Sequence, residues 1–177
     1  MQIKPFLFLM IGAIVFAGCG KDYLDINEVN PNQTQNPPIN GLLANVTYES
    51  GWNVYSAANI TAYYTQQLAS PNASSGSDTY DNVDRSTLWY NVYNTVQDIR
   101  VMSDLAVENE AYQHLGVAKF LEAFNMSMLI DFFGDAPYSE AWDPTNFNPA
   151  YDSGEEIFNT SLSLLDEAIV EFNKADP

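Results

Sequence analysis

Apolar residues recur at every third or fourth position through most of this chain, and this spacing limits what it can fold into. Between about residues 84 and 107 the apolar side chains share one side of a helix: Leu88, Val92, Val96, Ile99, Met102 and Ala106. No stretch alternates between apolar and polar residues as a half-buried strand does. The sequence therefore predicts an all-α fold.

A helix is also predicted before this segment, at about 41–69, with Asn40 as its N-cap. Gly51 weakens the middle of this first helix, because glycine has a low helix propensity. The apolar stripe of the first helix is predicted to comprise Leu43, Val46, Val54, Ala57, Ala58, Tyr64 and Leu68. A polar loop at residues 70–82 then leads to the second helix.

A third helix is predicted at about 110–133, after a very short break at Glu108 and Asn109. Two long helices joined so tightly must fold back on each other as an antiparallel hairpin. The apolar stripe of the third helix comprises Leu115, Ala118, Leu121, Phe124, Met128 and Phe132. Helical hairpins suggest a tetratricopeptide-like stacking, although no clear sequence repeat is visible.

The segment after the third helix contains strong stop and start signals. Gly134 fits the left-handed C′ position, and Pro137 prevents the helix from resuming. Residues 135–152 are expected to form an irregular aromatic segment. The last helix opens at Ser153, whose spacing to Glu156 is that of a capping box. Its buried face is predicted to comprise Phe158, Leu162, Leu165, Ala168, Ile169 and Phe172.

The N-terminus has the order of an export signal. Lys4 supplies a positive charge, residues 6–16 are almost wholly apolar, and small residues precede Cys19. The apolar run is shorter than the roughly 20 residues that a helix needs to cross a bilayer. Because cleavage would leave a cysteine first, the pattern predicts a bacterial lipoprotein signal at residues 1–18 and lipid attachment at Cys19. The alternative is an ordinary secretory signal with an incidental cysteine.

Residues 19–39 are polar and rich in asparagine and proline, which predicts an acylated N-terminus followed by an extended tether. An α-helical domain would then occupy residues 40–177, and we expect it to be the N-terminal part of a longer protein. Several tether residues faintly resemble a calcium loop: Asp22, Asp25, Asn27, Asn30 and Asn32. Turn chemistry is favoured, because no glycine or closing glutamate falls at the spacing that such a loop requires.

Composition excludes some partners. The chain has 23 acidic and 6 basic residues, a formal net charge of -17, so it would be repelled by nucleic acid. Cys19 is the only cysteine, and the fold must therefore rest on core packing and not on disulfides. A hydrophobic content of 46% argues against a wholly disordered chain.

A search for catalytic residues is largely negative. His114 is the only histidine, which excludes a histidine metal cluster and favours a hydrogen-bonded role near the start of the third helix. The acidic pairs Glu108 with Glu110 and Glu155 with Glu156 are expected to be solvated or to cap helices. No glycine-rich phosphate loop is present. The sequence thus predicts no catalytic, metal-binding or cofactor-binding residue.

Aromatic residues are the more informative side chains. They could stack on sugar rings beside amide and acidic groups, or they could pack in the core, and core packing is favoured for those on helices. The loop residues Tyr80 and Trp142 have better odds of contacting a ligand. The candidates are Trp52, Tyr55, Tyr63, Tyr64, Tyr80, Trp89, Tyr90, Tyr93, Tyr138, Trp142 and Tyr151.

Three stretches together resemble one known family. Residues 19–27 (CGKDYLDIN), followed by Asn-Pro-Asn, are similar to the mature start of SusD/RagB-type outer-membrane lipoproteins. Residues 131–141 (DFFGDAPYSEA) closely resemble a helix-end segment of that family. Residues 151–158 (YDSGEEIF), with 164–168 (LLDEA), resemble the helix that follows.

This resemblance implies tetratricopeptide-like helix pairs on the extracellular side of an outer membrane. It implies binding of a glycan or other nutrient and a role as the lid of a TonB-dependent, SusC-like transporter. Lys21 and Asp22 also resemble the surface-export signal of such lipoproteins, and only Cys19 carries over as a functional residue. The leading hypothesis is a non-enzymatic nutrient-binding lipoprotein. The alternatives are a lipid-anchored surface glycoside hydrolase and a purely structural helical scaffold.

Overall fold

The computed structural model describes residues 37–72, 76 and 78–175, which contain four α-helices. They are α1 (Ile39–Tyr64), α2 (Ser86–Glu108), α3 (Tyr112–Phe133) and α4 (Gly154–Phe172). Helix α3 contacts each of the other three helices, and α1 also contacts α2. The predicted all-α fold of tetratricopeptide-like helical hairpins is confirmed. Cys19, the signal, most of the tether and the calcium-like residues lie outside the described residues.

Helix α2 follows its sequence prediction closely. All six predicted apolar residues of its stripe are buried, with at most 3% of each exposed. The N-terminal half of α2 packs with Met126, Leu129 and Ile157, and the C-terminal half packs with Val46 and Leu121. Among the described residues no helix is long and apolar enough to cross a membrane.

Helix α1 differs from its prediction at both ends and along its buried face. Pro38, and not Asn40, is its N-cap, and it ends at Tyr64, five residues early. Its buried residues are Val46, Ser50, Asn53 and Ala57, whereas the predicted core residues Val54, Ala58 and Leu68 are exposed. The reason is that Ser50 and Asn53 hydrogen-bond to polar side chains of neighbouring helices, so two polar residues occupy the core side of α1.

The central position of α3 explains why a single stripe describes it poorly. Leu115, Ala118 and Leu121 are buried as predicted, but Phe124 is 41% exposed. Glu122 and Asn125, which were not predicted to be in the core, are buried. A helix with neighbours on three sides buries more than one face.

Helix α4 begins with the predicted capping box but buries a different face. Ser153 Oγ accepts from the Glu156 backbone N–H at 3.3 Å, and the Glu156 carboxylate accepts from the Ser153 N–H at 3.0 Å. The residues buried against the rest of the chain are Ile157, Ser161 and Ala168. Ala168 was predicted correctly, but the prediction was wrong for Phe158, Leu162, Ile169 and Phe172, which are 42–59% exposed. We name these four residues the α4 stripe.

The segment between α3 and α4 is irregular, as predicted, and is held by Asp152. Ala136 and Asp152 form an isolated antiparallel bridge with backbone hydrogen bonds of 3.1 and 3.0 Å. The Asp152 carboxylate accepts from the backbone N–H groups of Tyr138 and Ser139 at 2.8 Å each. Gly134 has the predicted positive φ of 73°, but its ψ of -121° lies outside the left-handed helical basin.

Candidate functional site

The aromatic candidates fall into a packed group and an exposed group. Trp89, Tyr93, Tyr138 and Trp142 pack against the buried core, with ring centroids of Trp89 and Tyr93 5.0 Å apart and those of Tyr93 and Trp142 5.7 Å apart. The Tyr93 hydroxyl donates to the Pro137 carbonyl at 2.6 Å. For the two helical residues, Trp89 and Tyr93, the packing interpretation is therefore confirmed.

Three exposed aromatic residues lie on one side of α1. Tyr48, Trp52 and Tyr55 are 66%, 47% and 59% exposed, and their spacing of four and three residues places them on one side of the helix. The rings of Trp52 and Tyr55 are 5.3 Å apart with an interplanar angle of 37°. Tyr48 was not among the sequence candidates, although its position four residues before Trp52 could have identified it.

Trp52 and Tyr55 line a cleft of about 310 Å³ between α1 and the start of α2, which we name the aromatic cleft. Both helices supply polar groups beside the two rings. The other lining residues are Ser56, Asn59, Ile60, Asp84, Arg85, Thr87, Leu88 and Asn91. A cleft with aromatic rings, amides, hydroxyls and both signs of charge can bind an amphipathic neutral ligand.

A second depression of about 310 Å³ continues from the cleft, because Asn91 lines both. It is the more polar of the two and also lies between α1 and α2; its lining residues are Asn45, Glu49, Asn91, Asn94, Thr95 and Asp98. The Asn45 side-chain amide donates to Asp98 at 2.9 Å across the groove. From Asn45 to Asn59 the two depressions follow about 21 Å of α1, at 1.5 Å per residue.

Hydrogen bonds favour the charged form of Asp84, which lies just before the start of α2. Asp84 accepts from the Ser86 backbone N–H at 2.8 Å and from its hydroxyl at 3.0 Å. These hydrogen bonds hold the pKa of Asp84 below its ordinary value. The Arg85 guanidinium lies 5.9 Å from the centre of the Tyr64 ring. The aromatic cleft therefore combines a carboxylate and a guanidinium with the apolar rings.

The residues considered for catalysis either have structural partners or are exposed. His114 Nε2 lies 2.9 Å from the Asn40 side-chain oxygen, which joins α3 to α1 and confirms the predicted hydrogen-bonded role. Glu110 is exposed in the turn between α2 and α3, and Glu156 caps α4, as expected. Within the described ranges there is no group of three or more histidine, cysteine or acidic side chains arranged to hold a metal ion.

Comparisons with known proteins give a family and a fold. Residues 31–177 match the profile of the SusD-like family described as starch-binding and associating with the outer membrane. A crystal structure of a SusD/RagB family protein from Bacteroides thetaiotaomicron superposes with a TM-score of 0.63 at 24% sequence identity. The match covers 80% of this chain and 32% of that protein, so the chain spans about a third of its length. No curated protein sequence matches significantly.

Proposed function

The chain belongs to the SusD-like family of outer-membrane-associated starch-binding proteins, and on that premise we propose that it binds a glycan nutrient at the cell surface. In this proposal the protein is lipid-anchored through Cys19 and delivers its ligand to a TonB-dependent, SusC-like transporter. The single observation that carries glycan binding is the aromatic cleft.

The aromatic cleft has the chemistry that sugar rings require. A pyranose presents apolar C–H groups on its faces and hydroxyls around its edge. The exposed rings of Trp52 and Tyr55 can cover the faces, while the amides of Asn59 and Asn91 can donate to and accept from the hydroxyls. Both aromatic residues lie on a continuous helix, so no loop has to become ordered when the ligand binds.

Removal of Trp52 tests this role. The full chain is titrated by calorimetry with a series of soluble oligosaccharides, including maltooligosaccharides. We expect Trp52→Ala to weaken binding about tenfold, which corresponds to roughly 1.4 kcal/mol. Tyr90→Ala is the matched control, because Tyr90 is 64% exposed on α2 but does not line the cleft. Equal losses in both variants, or no binding by the wild type, would contradict the proposal.

A binding role and a hydrolytic role are separated by product analysis. The proposal predicts that the same oligosaccharides are recovered intact after prolonged incubation with the protein. New reducing ends that disappear on Asp84→Asn would instead support the surface glycoside hydrolase. If oligosaccharides neither bind nor are cleaved, the scaffold interpretation is favoured.

The anchoring part of the proposal rests on Cys19. Cys19→Ser removes the thiol that would receive the lipid, so the variant should not be acylated and should leave the membrane fraction. Fatty-acid labelling and detergent partitioning measure these two properties. A labelled, membrane-bound serine variant would refute lipid attachment at this residue.

The transporter part of the proposal predicts a stable complex. Permanent complexes commonly bury more than about 2,000 Å² in total, so the pair should survive purification in mild detergent. Affinity purification of the protein from its native membrane should recover a TonB-dependent barrel in near-equal amount. Recovery of the lipoprotein alone, with normal nutrient uptake in a deletion strain, would favour a structural scaffold.

A further inference from the structure

Another cavity lies on the other side of α2. It is separate from the aromatic cleft and from the depression that continues the cleft. Its volume is about 380 Å³, and α2, α3, α4 and the 135–152 segment all contribute to its walls. We name it the arginine cavity after Arg100. Its lining residues are Gln97, Arg100, Val101, Ser103, Asp104, Glu122, Tyr138, Trp142 and Leu164, none of which lines the aromatic cleft.

The arginine cavity contains an ion pair between Arg100, which is partly accessible, and Glu122, which is buried. Arg100 donates through Nε at 3.0 Å and through Nη2 at 2.7 Å, and both bonds go to Oε1 of Glu122. The Tyr138 hydroxyl donates to the same oxygen at 2.8 Å. Glu122 Oε2 therefore has no hydrogen-bond partner among the described residues, although only 6% of Glu122 is exposed.

Glu122 Oε2 keeps contact with solvent, whereas the indole Nε1 of Trp142, which also lines the cavity, is buried and has no hydrogen-bond partner among the described residues. Buried polar atoms in native proteins almost always have a partner, because burying one without a hydrogen bond is costly. Burial and the charge of Glu122 raise the pKa of the Tyr138 phenol, so this hydroxyl remains a donor to Oε1 at every physiological pH. The three donors on Oε1 thus fix the carboxylate while leaving Oε2 as an acceptor.

An aromatic wall lies beside this pair. The guanidinium carbon of Arg100 is 4.6 Å from the centre of the Trp142 ring and 5.4 Å from that of Tyr138. The second terminal nitrogen of Arg100, Nη1, makes no hydrogen bond to the described residues, and 34% of this side chain is accessible. The cavity therefore offers a fixed acceptor and a fixed donor beside apolar rings.

We propose that the arginine cavity binds a single neutral sugar ring, with one hydroxyl donating to Glu122 Oε2 and a neighbouring hydroxyl accepting from Arg100 Nη1. A hydroxyl both donates and accepts, so two adjacent hydroxyls can serve both groups. The volume falls within the range of pockets for small molecules, roughly 300–1,000 Å³. This inference rests on the cavity and does not require the aromatic cleft.

Charge argues for a neutral ligand in particular. Glu122 and Asp104 both line the cavity, so an anion would face two carboxylates against one guanidinium. Among the described residues that line the cavity, Arg100 is the one basic residue. It already pairs with Glu122, and a cation would compete with it for that carboxylate. A neutral polyol needs no net charge in its binding site, and its hydroxyls can form hydrogen bonds with Arg100 and Glu122 at the same time.

The three tryptophans of the chain allow each site to be observed separately. The full chain is labelled with ¹⁵N and titrated with the methyl glycosides of glucose, galactose and mannose. The indole signal of Trp142 reports the arginine cavity, and that of Trp52 reports the aromatic cleft. We expect at least one glycoside to shift the Trp142 signal in a saturable manner.

Ser103→Phe fills the cavity without removing either charge, and we expect it to weaken the Trp142 response at least tenfold while the Trp52 signal remains unchanged. Val107→Phe is the matched control, because Val107 is 62% exposed on the same helix and does not line the cavity. Glu122→Gln keeps the side-chain size and should also weaken binding about tenfold, since hydrogen bonds to charged groups are the stronger ones. Thermal unfolding verifies that each variant is folded.

Several outcomes would overturn the inference. One is the absence of a Trp142 shift with all three glycosides; another is an equal shift in Ser103→Phe and the wild type. A Trp142 shift produced by acetate or ammonium and not by the glycosides would refute the neutral ligand. If the Trp52 signal shifts and the Trp142 signal does not, the arginine cavity is not a sugar site, and the proposed function is unaffected. If the Trp142 signal shifts and the Trp52 signal does not, the aromatic cleft is not a sugar site, and the inference about the arginine cavity is unaffected.

Discussion

Gly134 ends α3 in a backbone conformation that no other residue adopts without strain. Its φ of 73° combines with a ψ of -121°, whereas the left-handed region open to asparagine lies near ψ of about +30 to +60°. A Cβ added at Gly134 would meet no atom within 4 Å. The effect of Gly134→Ala is therefore backbone strain alone, without a steric clash.

The size of this effect follows from two opposing contributions. Sparsely populated backbone conformations cost about 1–3 kcal/mol for a residue with a Cβ. Alanine recovers roughly 0.4–1 kcal/mol by reducing the entropy of the unfolded chain. We expect Gly134→Ala to lower the free energy of unfolding by about 1–2 kcal/mol, which is a decrease of roughly 2–8 °C in Tm for a chain of this size.

Gly51→Ala is the matched control, because it makes the same chemical change in the middle of α1. A Cβ at Gly51 also meets nothing within 4 Å, and its φ is ordinary, so alanine should stabilise the helix by about 0.5–1 kcal/mol. Thermal unfolding followed by circular dichroism should thus show Tm changes of opposite sign. Gly134→Asn distinguishes the assigned conformation from the left-handed helical region, which asparagine tolerates. A wild-type Tm in Gly134→Asn would therefore refute the assigned conformation. An unchanged Tm in Gly134→Ala would refute it as well.

Two further predictions concern the segment before α4. Ser153→Ala removes the acceptor for the Glu156 N–H and should cost about 1 kcal/mol in urea unfolding, whereas Ser163→Ala on the exposed side of the same helix should change little; equal effects would contradict the capping box. Burial raises the pKa of Asp152, but hydrogen bonds from Ser139 and the loop backbone outweigh it and leave the pKa below 3.8. Because the pKa is lower in the folded state, this stabilisation is present above pH 3.8 and is lost as the pH falls through the folded pKa. In Asp152→Asn the free energy of unfolding should therefore decrease less as the pH is lowered than it does in the wild type. The same decrease in both proteins would refute this role of Asp152.

The sequence predicted the helices better than it predicted their buried faces. Helix α2 has one continuous stripe of apolar residues, with Tyr90 and Val107 outside it, so its periodicity identified the core side directly. Helix α4 carries apolar residues on two sides, Ile157 on one and the α4 stripe on the other, and periodicity favours the longer stripe. Which side packs inward depends on the partner helix. Phe172, at the end of the stripe, lies close to Gly116 of α3, because a Cβ on Gly116 would be 2.7 Å from the Phe172 ring, and yet 42% of Phe172 is exposed.

The sites were less predictable, because their polar residues come together only on folding. Trp52 and Tyr55 were sequence candidates, but Asp84 and Asn91 join them through the packing of α1 on α2. Arg100 and Glu122 pair across 22 residues of sequence, and neither has a local motif that indicates it. Spacing along one helix carries no information on pairs formed between helices.

The buried amides of Asn53 and Asn125 also determine where the aromatic cleft opens. Asn53 donates to Thr95 at 3.0 Å and to Asn125 at 3.2 Å, and Asn125 donates to Ser50 at 2.8 Å. Rotating α1 by one residue, about 100°, would break all the contacts that α1 makes in this set and would move the neighbouring Trp52 out of the aromatic cleft. If this side of α1 were apolar, several rotations of the helix about its axis would have similar free energies. The hydrogen bonds of Asn53 and Asn125 form at one of these rotations only. The buried hydrogen bonds of Asn53 and Asn125 thus determine which side chains of α1 reach the surface, because they fix the rotation of α1 about its own axis.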